Sequence, residues 1–188
     1  MRRSLAAWMT IDFMVGDLCD PAVATRAVEG MEVIYHIAAL PSVPRSLKDP
    51  WGSHDANVNA TVHLLQAAVK AGARRVVYSS SSSVYGDTPE LPKVENVEPL
   101  PRSPYAASKL ASEQYMVSFY RCYGLETVCL RYFNIFGPRQ DPTSPYSGVL
   151  AKFITQMLAG EQPTAFGDGK QSRDFTYIDN VVSGNLLA

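Results

Sequence analysis

Apolar positions along the 188-residue chain fall into two alternating rhythms. Short unbroken apolar runs, IDFMVGD (11–17), EVIYHIA (32–38), RRVVYSS (74–80) and ETVCLRYF (126–133), predict β-strands. Between and after them, apolar residues at helical spacing predict helices over 20–30, 49–72, 103–124 and 148–160. The helix ends are marked. Asp20 precedes Pro21 and Ser103 precedes Pro104 as N-caps, while Gly30, Gly72 and Gly124 act as stops. A last helix is predicted in DNVVSGNLLA (179–188). Strands that are apolar without alternation need cover on both faces. Alternating strands and helices therefore predict an α/β fold around a doubly wound parallel sheet.

Composition narrows the class. Hydrophobic residues make up 46% of the chain and charged residues 19%, ordinary proportions for a globular domain. The formal net charge is −1, so no basic balance argues for nucleic acid or an anionic membrane as partner. No apolar run approaches the ~20 residues of a membrane span. The opening MRRSLAAWM resembles the start of a signal peptide, but its apolar stretch is short and Asp12 follows without a small-residue cleavage site. Cys19, Cys122 and Cys129 are scattered, suggesting neither a disulfide framework nor a zinc site, and a cytoplasmic setting is expected. His36, His54 and His63 show no metal spacing and read as packing or surface residues.

The chemistry concentrates in VVYSSSSSVYGD (76–87) and SPYAASK (103–109). In an open parallel sheet, ligands bind beyond the carboxyl ends of the strands. Ser79 to Ser83 sit at such an end, and Tyr105 and Lys109 are four apart on one helix face. An ammonium beside a phenol favours the phenolate and brings its pKa down from ~10. The product is a general base for an alcohol, with a serine hydroxyl to hold the same oxygen and relay its proton. A Y-x-x-x-K pair alone arises by chance on surface helices, and serine runs are commonly loops. The specific signal is the order: strand, hydroxyl end, loop, then the Tyr–Lys helix.

With these stretches stand GDLCDP (16–21), HIAALPSVPRSLKDP (36–50), NVNATVHLLQAA (57–68), LRYFNIFGPRQDP (130–142) and FGDGKQSRDFTYIDNVV (166–182). In this order the chain resembles the extended short-chain dehydrogenase/reductases, the NAD-dependent epimerase/dehydratase family. It is most similar to the 4-epimerases of UDP-hexoses and UDP-N-acetylhexosamines. The resemblance implies a Rossmann-like fold that is incomplete, lacking the first βαβ unit and most of the C-terminal substrate domain. Residues 1–145 would be the remainder of the NAD-binding domain, and 146–188 the start of a substrate-binding region interleaved with the sheet. No G-x-x-G-x-x-G or G-x-G-x-x-G occurs in the chain, so on its own it is expected to bind NAD poorly and to be inactive.

The same resemblance implies roles for individual residues. Ser81, Tyr105 and Lys109 would be catalytic. Asp17, Leu18, Ala38, Ala39, Leu40, Asn57 and Phe133 would line the NAD site with Tyr105 and Lys109, Asn57 either touching the cofactor or bracing the backbone. Tyr132 could pack beside Phe133 or belong to the core. Ser81, Ser82, Asn134, Val149 and Arg173 would meet the UDP-sugar, the Arg173 guanidinium gripping the diphosphate. Arg139 is a weaker candidate for that region. The implied reaction deprotonates the sugar 4-hydroxyl, passes through a 4-keto sugar and returns the inverted epimer. Family 4,6-dehydratases carry acids after the catalytic hydroxyl, where this chain has Ser82 and Ser83. That favours epimerase over dehydratase. A homodimer through helices 49–72 and 103–124 is expected, with a non-catalytic binding role as the alternative from another class.

Overall fold

The computed structural model describes residues 11–144, 147–165 and 167–188, so the signal-like stretch at the start lies outside the described residues. Three parallel strands form the main sheet: β1 (Val33–His36), β2 (Arg75–Ser81) and β3 (Glu126–Tyr132), in the order β1-β2-β3. The register pairs His36 with Tyr78 and Ser81 with Tyr132, which aligns the carboxyl ends of the strands.

The helices are α1 (Pro21–Val28), α2 (Val43–Lys48), α3 (Pro50–His54), α4 (Ala60–Ala71), α5 (Pro104–Tyr123), α6 (Val149–Leu158) and α7 (Ile178–Leu187). Their termini follow the predicted caps. Asp20 accepts from the Ala22 N–H at 2.8 Å, and Ser103 accepts from Ala106 at 3.1 Å. Gly72 and Gly124 end α4 and α5 in the left-handed conformation, which a glycine adopts without a Cβ clash.

Alternation along the strands decides what each face meets. Val76 and Tyr78 of β2 pack on Leu65 and Ala68 of α4 and on Met116 and Phe119 of α5. A second cluster joins α1 to α4 through Ala24, Val28, Leu64 and Ala67. On β3, Thr127 and Arg131 reach α5, whereas the adjacent Tyr132 receives a hydrogen bond at 2.6 Å from Asn185 of α7. Helices therefore cover β3 on both faces.

Three expectations need correction. Residues 11–17 form no strand: they have no ladder partner, and Phe13 is 88% exposed. A doubly wound sheet in the order 3-2-1-4-5-6 separates its third and fourth strands by two others, so an apolar run one helix before β1 has no direct pairing with β1. The helix predicted over 49–72 is continuous from Pro50 to Ala71 but contains a π-helical turn at Asp55–Asn59. Such turns are rare and favour functional sites. The pattern also misses α2 and a second parallel sheet of β4 (Asn134–Phe136) and β5 (Phe175–Tyr177). Elements of three to six residues are too short to show a period. The small sheet takes one strand from each side of residue 145, and α7 returns to β3.

Candidate active site

The end of β2 meets the first turns of α5. Lys109 is 3% exposed, and its ammonium donates to the Ser79 carbonyl at 2.8 Å while lying 4.8 Å from the centre of the Tyr78 ring. Burial pushes its pKa down to about 8, and the negative charge of Glu113 acts against that. Burial likewise raises the Tyr105 phenol above its ordinary value, opposed by its side-chain hydrogen bond with Ser81. The expected lowering of the phenol by Lys109 is therefore corrected. The ammonium is directed to a β2 carbonyl, and desolvation governs the phenol. Ser81, Tyr105, Lys109, Ala39, Tyr132 and Phe133 line one cleft of about 260 Å³ at the carboxyl edge of the sheet.

Asn57, within the π-helical turn, bonds the segment next to the cleft residue Ala39. It is 1% exposed, accepts from the Leu40 N–H at 2.7 Å, and donates to the Leu40 carbonyl at 3.2 Å and to Ser108 Oγ at 2.9 Å. Both amide protons are used within the protein, which supports the bracing alternative for Asn57. Ser108 in turn donates to the Tyr105 carbonyl at 2.8 Å, which ties the 38–40 segment to the Tyr105 turn.

Beneath the brace lies His36, also 3% exposed, with Nε2 2.8 Å from Thr61 Oγ1. The Thr61 hydroxyl donates to the Asn57 carbonyl at 2.6 Å, so the imidazole Nε2–H must donate to Thr61. Burial, then the charge of Lys109, hold the His36 pKa down to about 4. In the unfolded chain the imidazole titrates near ~6.5. As pH falls the unfolded state binds the proton first, so this contribution to stability is full above pH ~6.5 and is lost between there and about 4. At about 1.4 kcal/mol per pH unit the loss is on the order of 3 kcal/mol. Urea unfolding at pH 7 and at pH 4.5 checks this, and the fall should shrink in His36→Gln, whose amide still donates to Thr61 but does not titrate.

The substrate-side residues fall in several places. Val149 and Arg173 line one recess of about 680 Å³ with Lys152, which the sequence reading missed. The Arg173 guanidinium donates to the Ser172 carbonyl at 2.7 Å. Ser82 starts the 3-10 turn Ser82–Tyr85, and Asn134 donates to the Asp174 carbonyl at 2.9 Å. Neither lines the Tyr105 cleft, nor do Ala38 and Leu40. Arg139 lies with Phe136 and Tyr177 in a separate recess. Asp17 accepts from the Cys19 N–H at 2.9 Å, which lowers its pKa, and Leu18 packs against the α1–α4 cluster.

A charged group under the cleft escaped the sequence reading. Glu113 pairs with Arg131 at 2.7 Å and accepts from Ser80 at 2.5 Å, and the Arg131 guanidinium lies 4.7 Å from the centre of the Tyr85 ring. Its signal was available, because Glu113 continues the spacing of Tyr105 and Lys109 by four more residues. Gly86, next to Tyr85, has φ +62°, and a Cβ there would lie 1.9 Å from the Leu100 carbonyl oxygen.

Hydroxyl, phenol and ammonium thus meet at the carboxyl edge of a parallel sheet, beside an aromatic ring and a small alanine. Chemically, such an arrangement can take the proton of an alcohol placed in the cleft. The donor set fits a nicotinamide and its ribose. Ser79 Oγ in the same strand end is buried without a partner among the described residues, and Lys109 directs one of its three donors to the Ser79 carbonyl.

Residues 2–188 match the NAD dependent epimerase/dehydratase family, and the chain belongs to it. The UDP-glucose 4-epimerase of Mycolicibacterium smegmatis is 42% identical over 179 residues, covering 94% of this chain and 57% of that one. Two solved structures share the fold. The UDP-N-acetylglucosamine 4-epimerase from Methanobrevibacter ruminantium M1, in complex with UDP-N-acetylmuramic acid, has a TM-score of 0.88 and 44% identity, covering 93% of this chain and 56% of that one. The UDP-glucose 4-epimerase of Thermotoga maritima, with UDP-glucose, has a TM-score of 0.89 and 37% identity, covering 93% and 58%. The chain spans a little over half the length of these relatives.

Proposed function

We propose that these residues carry the catalytic centre of an NAD-dependent nucleotide-sugar 4-epimerase acting on UDP-hexoses or UDP-N-acetylhexosamines. The observation that carries the reading is the convergence of Ser81, Tyr105, Lys109 and Phe133 on one cleft at the carboxyl edge of the sheet. Tyr105, as phenolate, takes the proton of the sugar 4-hydroxyl, and Ser81 holds the same oxygen. Lys109, Ala39 and Phe133, which line the cleft, would hold NAD at its nicotinamide end. NAD, when bound, would supply the hydride chemistry at C4. On return, Tyr105 gives the proton back to the 4-oxygen, and the sugar leaves with inverted configuration. Val149 and Arg173 hold the uridine diphosphate, in keeping with their common recess. Ser82 and Asn134 flank the sugar, and Asp17 and Leu18 the adenine end.

Proton nuclear magnetic resonance of the nucleotide sugars after incubation with the complete enzyme tests this reading. Interconversion of the 4-epimers is expected, and a 4-keto-6-deoxy product would overturn it in favour of a dehydratase. The 188 residues alone contain no Gly-rich turn for the pyrophosphate. Calorimetry on this chain is therefore expected to find no micromolar NAD binding, and tight binding would contradict that expectation. Exposed Trp51, Tyr115, Tyr120 and Tyr123 supply aromatic surface on α3 and α5 for the homodimer. The three free cysteines suit a cytoplasmic setting. No helix among the described residues is long and apolar enough to cross a membrane.

A further inference from the structure

The Glu113 carboxylate touches every element that carries the catalytic group. It sits on α5 one turn beyond Lys109 and two beyond Tyr105. One oxygen accepts from Ser80 at 2.5 Å, the residue beside Ser81 on β2. Arg131 of β3 grips the carboxylate with a fork, Nε at 3.0 Å and Nη2 at 2.7 Å. The same guanidinium lies 4.7 Å from the centre of the Tyr85 ring, and Tyr85 stacks on Phe133 at 6.4 Å. Glu113 is buried, and Arg131 is mostly so. Leaving either without the other would strand a charge in a poorly solvated place.

We propose that Glu113 is a positioning residue. Its carboxylate, shared between Ser80 and Arg131, holds the hydroxyl end of β2 and the Tyr85–Phe133 stack against the helix face of Tyr105, and places a negative charge one turn from the Lys109 ammonium. The inference rests on the epimerase reading only for its effect on turnover. Its electrostatic part concerns this chain alone.

Lys109 is faced by Tyr105 and Glu113 from α5, by Tyr78 from β2, and by neutral His36 from β1, with Arg131 of β3 behind Glu113. Among these, Glu113 supplies the negative charge that opposes the effect of burial on Lys109. Glu113→Gln keeps the shape and an acceptor for Ser80 but removes that charge, leaving Arg131 as an uncompensated cation. Arg131→Met does the reverse.

The test is a titration of Lys109 followed through 13C-labelled lysine Cε, in the 188-residue chain, with the resonance assigned by its loss in Lys109→Met. The midpoint is expected to fall by about one pH unit in Glu113→Gln and to rise in Arg131→Met. Opposite signs distinguish an electrostatic role from general loosening, which would move both variants toward an ordinary solvated lysine. A midpoint unchanged in folded Glu113→Gln overturns the proposal. Should that variant not fold, an unchanged or lowered midpoint in Arg131→Met still overturns the proposal. In the complete enzyme, the alkaline limb of the kcat/KM profile is expected to shift to lower pH in Glu113→Gln, with kcat falling ~10-fold or more and KM nearly constant. If wild-type enzyme fails to epimerise UDP-sugars, the epimerase reading fails while the lysine titration still decides the role of Glu113.

Discussion

Tyr105→Phe in the complete enzyme is expected to lower kcat by about 10²–10⁴-fold, the span of a positioned general acid–base group. The substitution removes one oxygen and keeps the ring, so the packing at the start of α5 survives. KM for the nucleotide sugar should change little, because the diphosphate is assigned to the Val149–Arg173 recess and not to the phenol. The phenol bears two opposed influences, burial raising its pKa and the Ser81 hydrogen bond lowering it. A cationic nicotinamide in the cleft would add to the lowering side, where Lys109 is directed elsewhere. Tyr115→Phe, at an exposed position of the same helix, serves as the control and should leave kcat unchanged. Steady-state kinetics with UDP-glucose checks both, and a Tyr105→Phe enzyme with near wild-type kcat would remove Tyr105 from its role.

Asn57→Ala should produce the largest loss of stability tied to the site. It removes the partners of the partly buried Leu40 N–H and carbonyl and one bond of the buried Ser108 hydroxyl, which keeps its bond to the Tyr105 carbonyl. Each stranded buried group costs about 1–3 kcal/mol, and partial relaxation brings the sum to roughly 3 kcal/mol. A fall in melting temperature of about 6–12 °C corresponds to that loss in a chain of this size. Asn57→Asp should not rescue, because it restores the acceptor for Leu40 but neither donor, and it buries a charge. Thermal unfolding of the two variants separates a brace from a ligand contact. A cofactor contact with no bracing role would leave the melting temperature of the ligand-free chain unchanged.

Much of the fold was legible where the physics is local and the elements are long. Asp20, Ser103, Gly72 and Gly124 mark real helix ends because capping needs only neighbouring residues. The continuous apolar strands announced a sheet covered on both faces, and β3 has that cover. The run 11–17 was misread because a strand is defined by its partner, which apolarity alone does not supply. β4 and β5 were invisible for the related reason that three-residue strands carry no period.

The site divides in the same way. Tyr105, Lys109 and Ser81 converge because a helix face and a strand end are predictable from spacing. The direction of the Lys109 ammonium was not, since it depends on a carbonyl of β2 that only the packed fold presents. Asn57 showed its residue type but not its partners, which come from 17 and 51 residues away. Glu113 and Arg131 lie 18 residues apart on separate elements, and only the packing of α5 on β3 brings them together.

The central claim is that Tyr105 and Ser81 move the proton of the sugar 4-hydroxyl while C4 keeps its own hydrogen within the cleft. The most direct measurement uses UDP-glucose deuterated at C4, incubated with the complete enzyme in ordinary water and read by nuclear magnetic resonance. The account predicts epimerised product that retains deuterium at C4. Deuterium lost to solvent during inversion would contradict it.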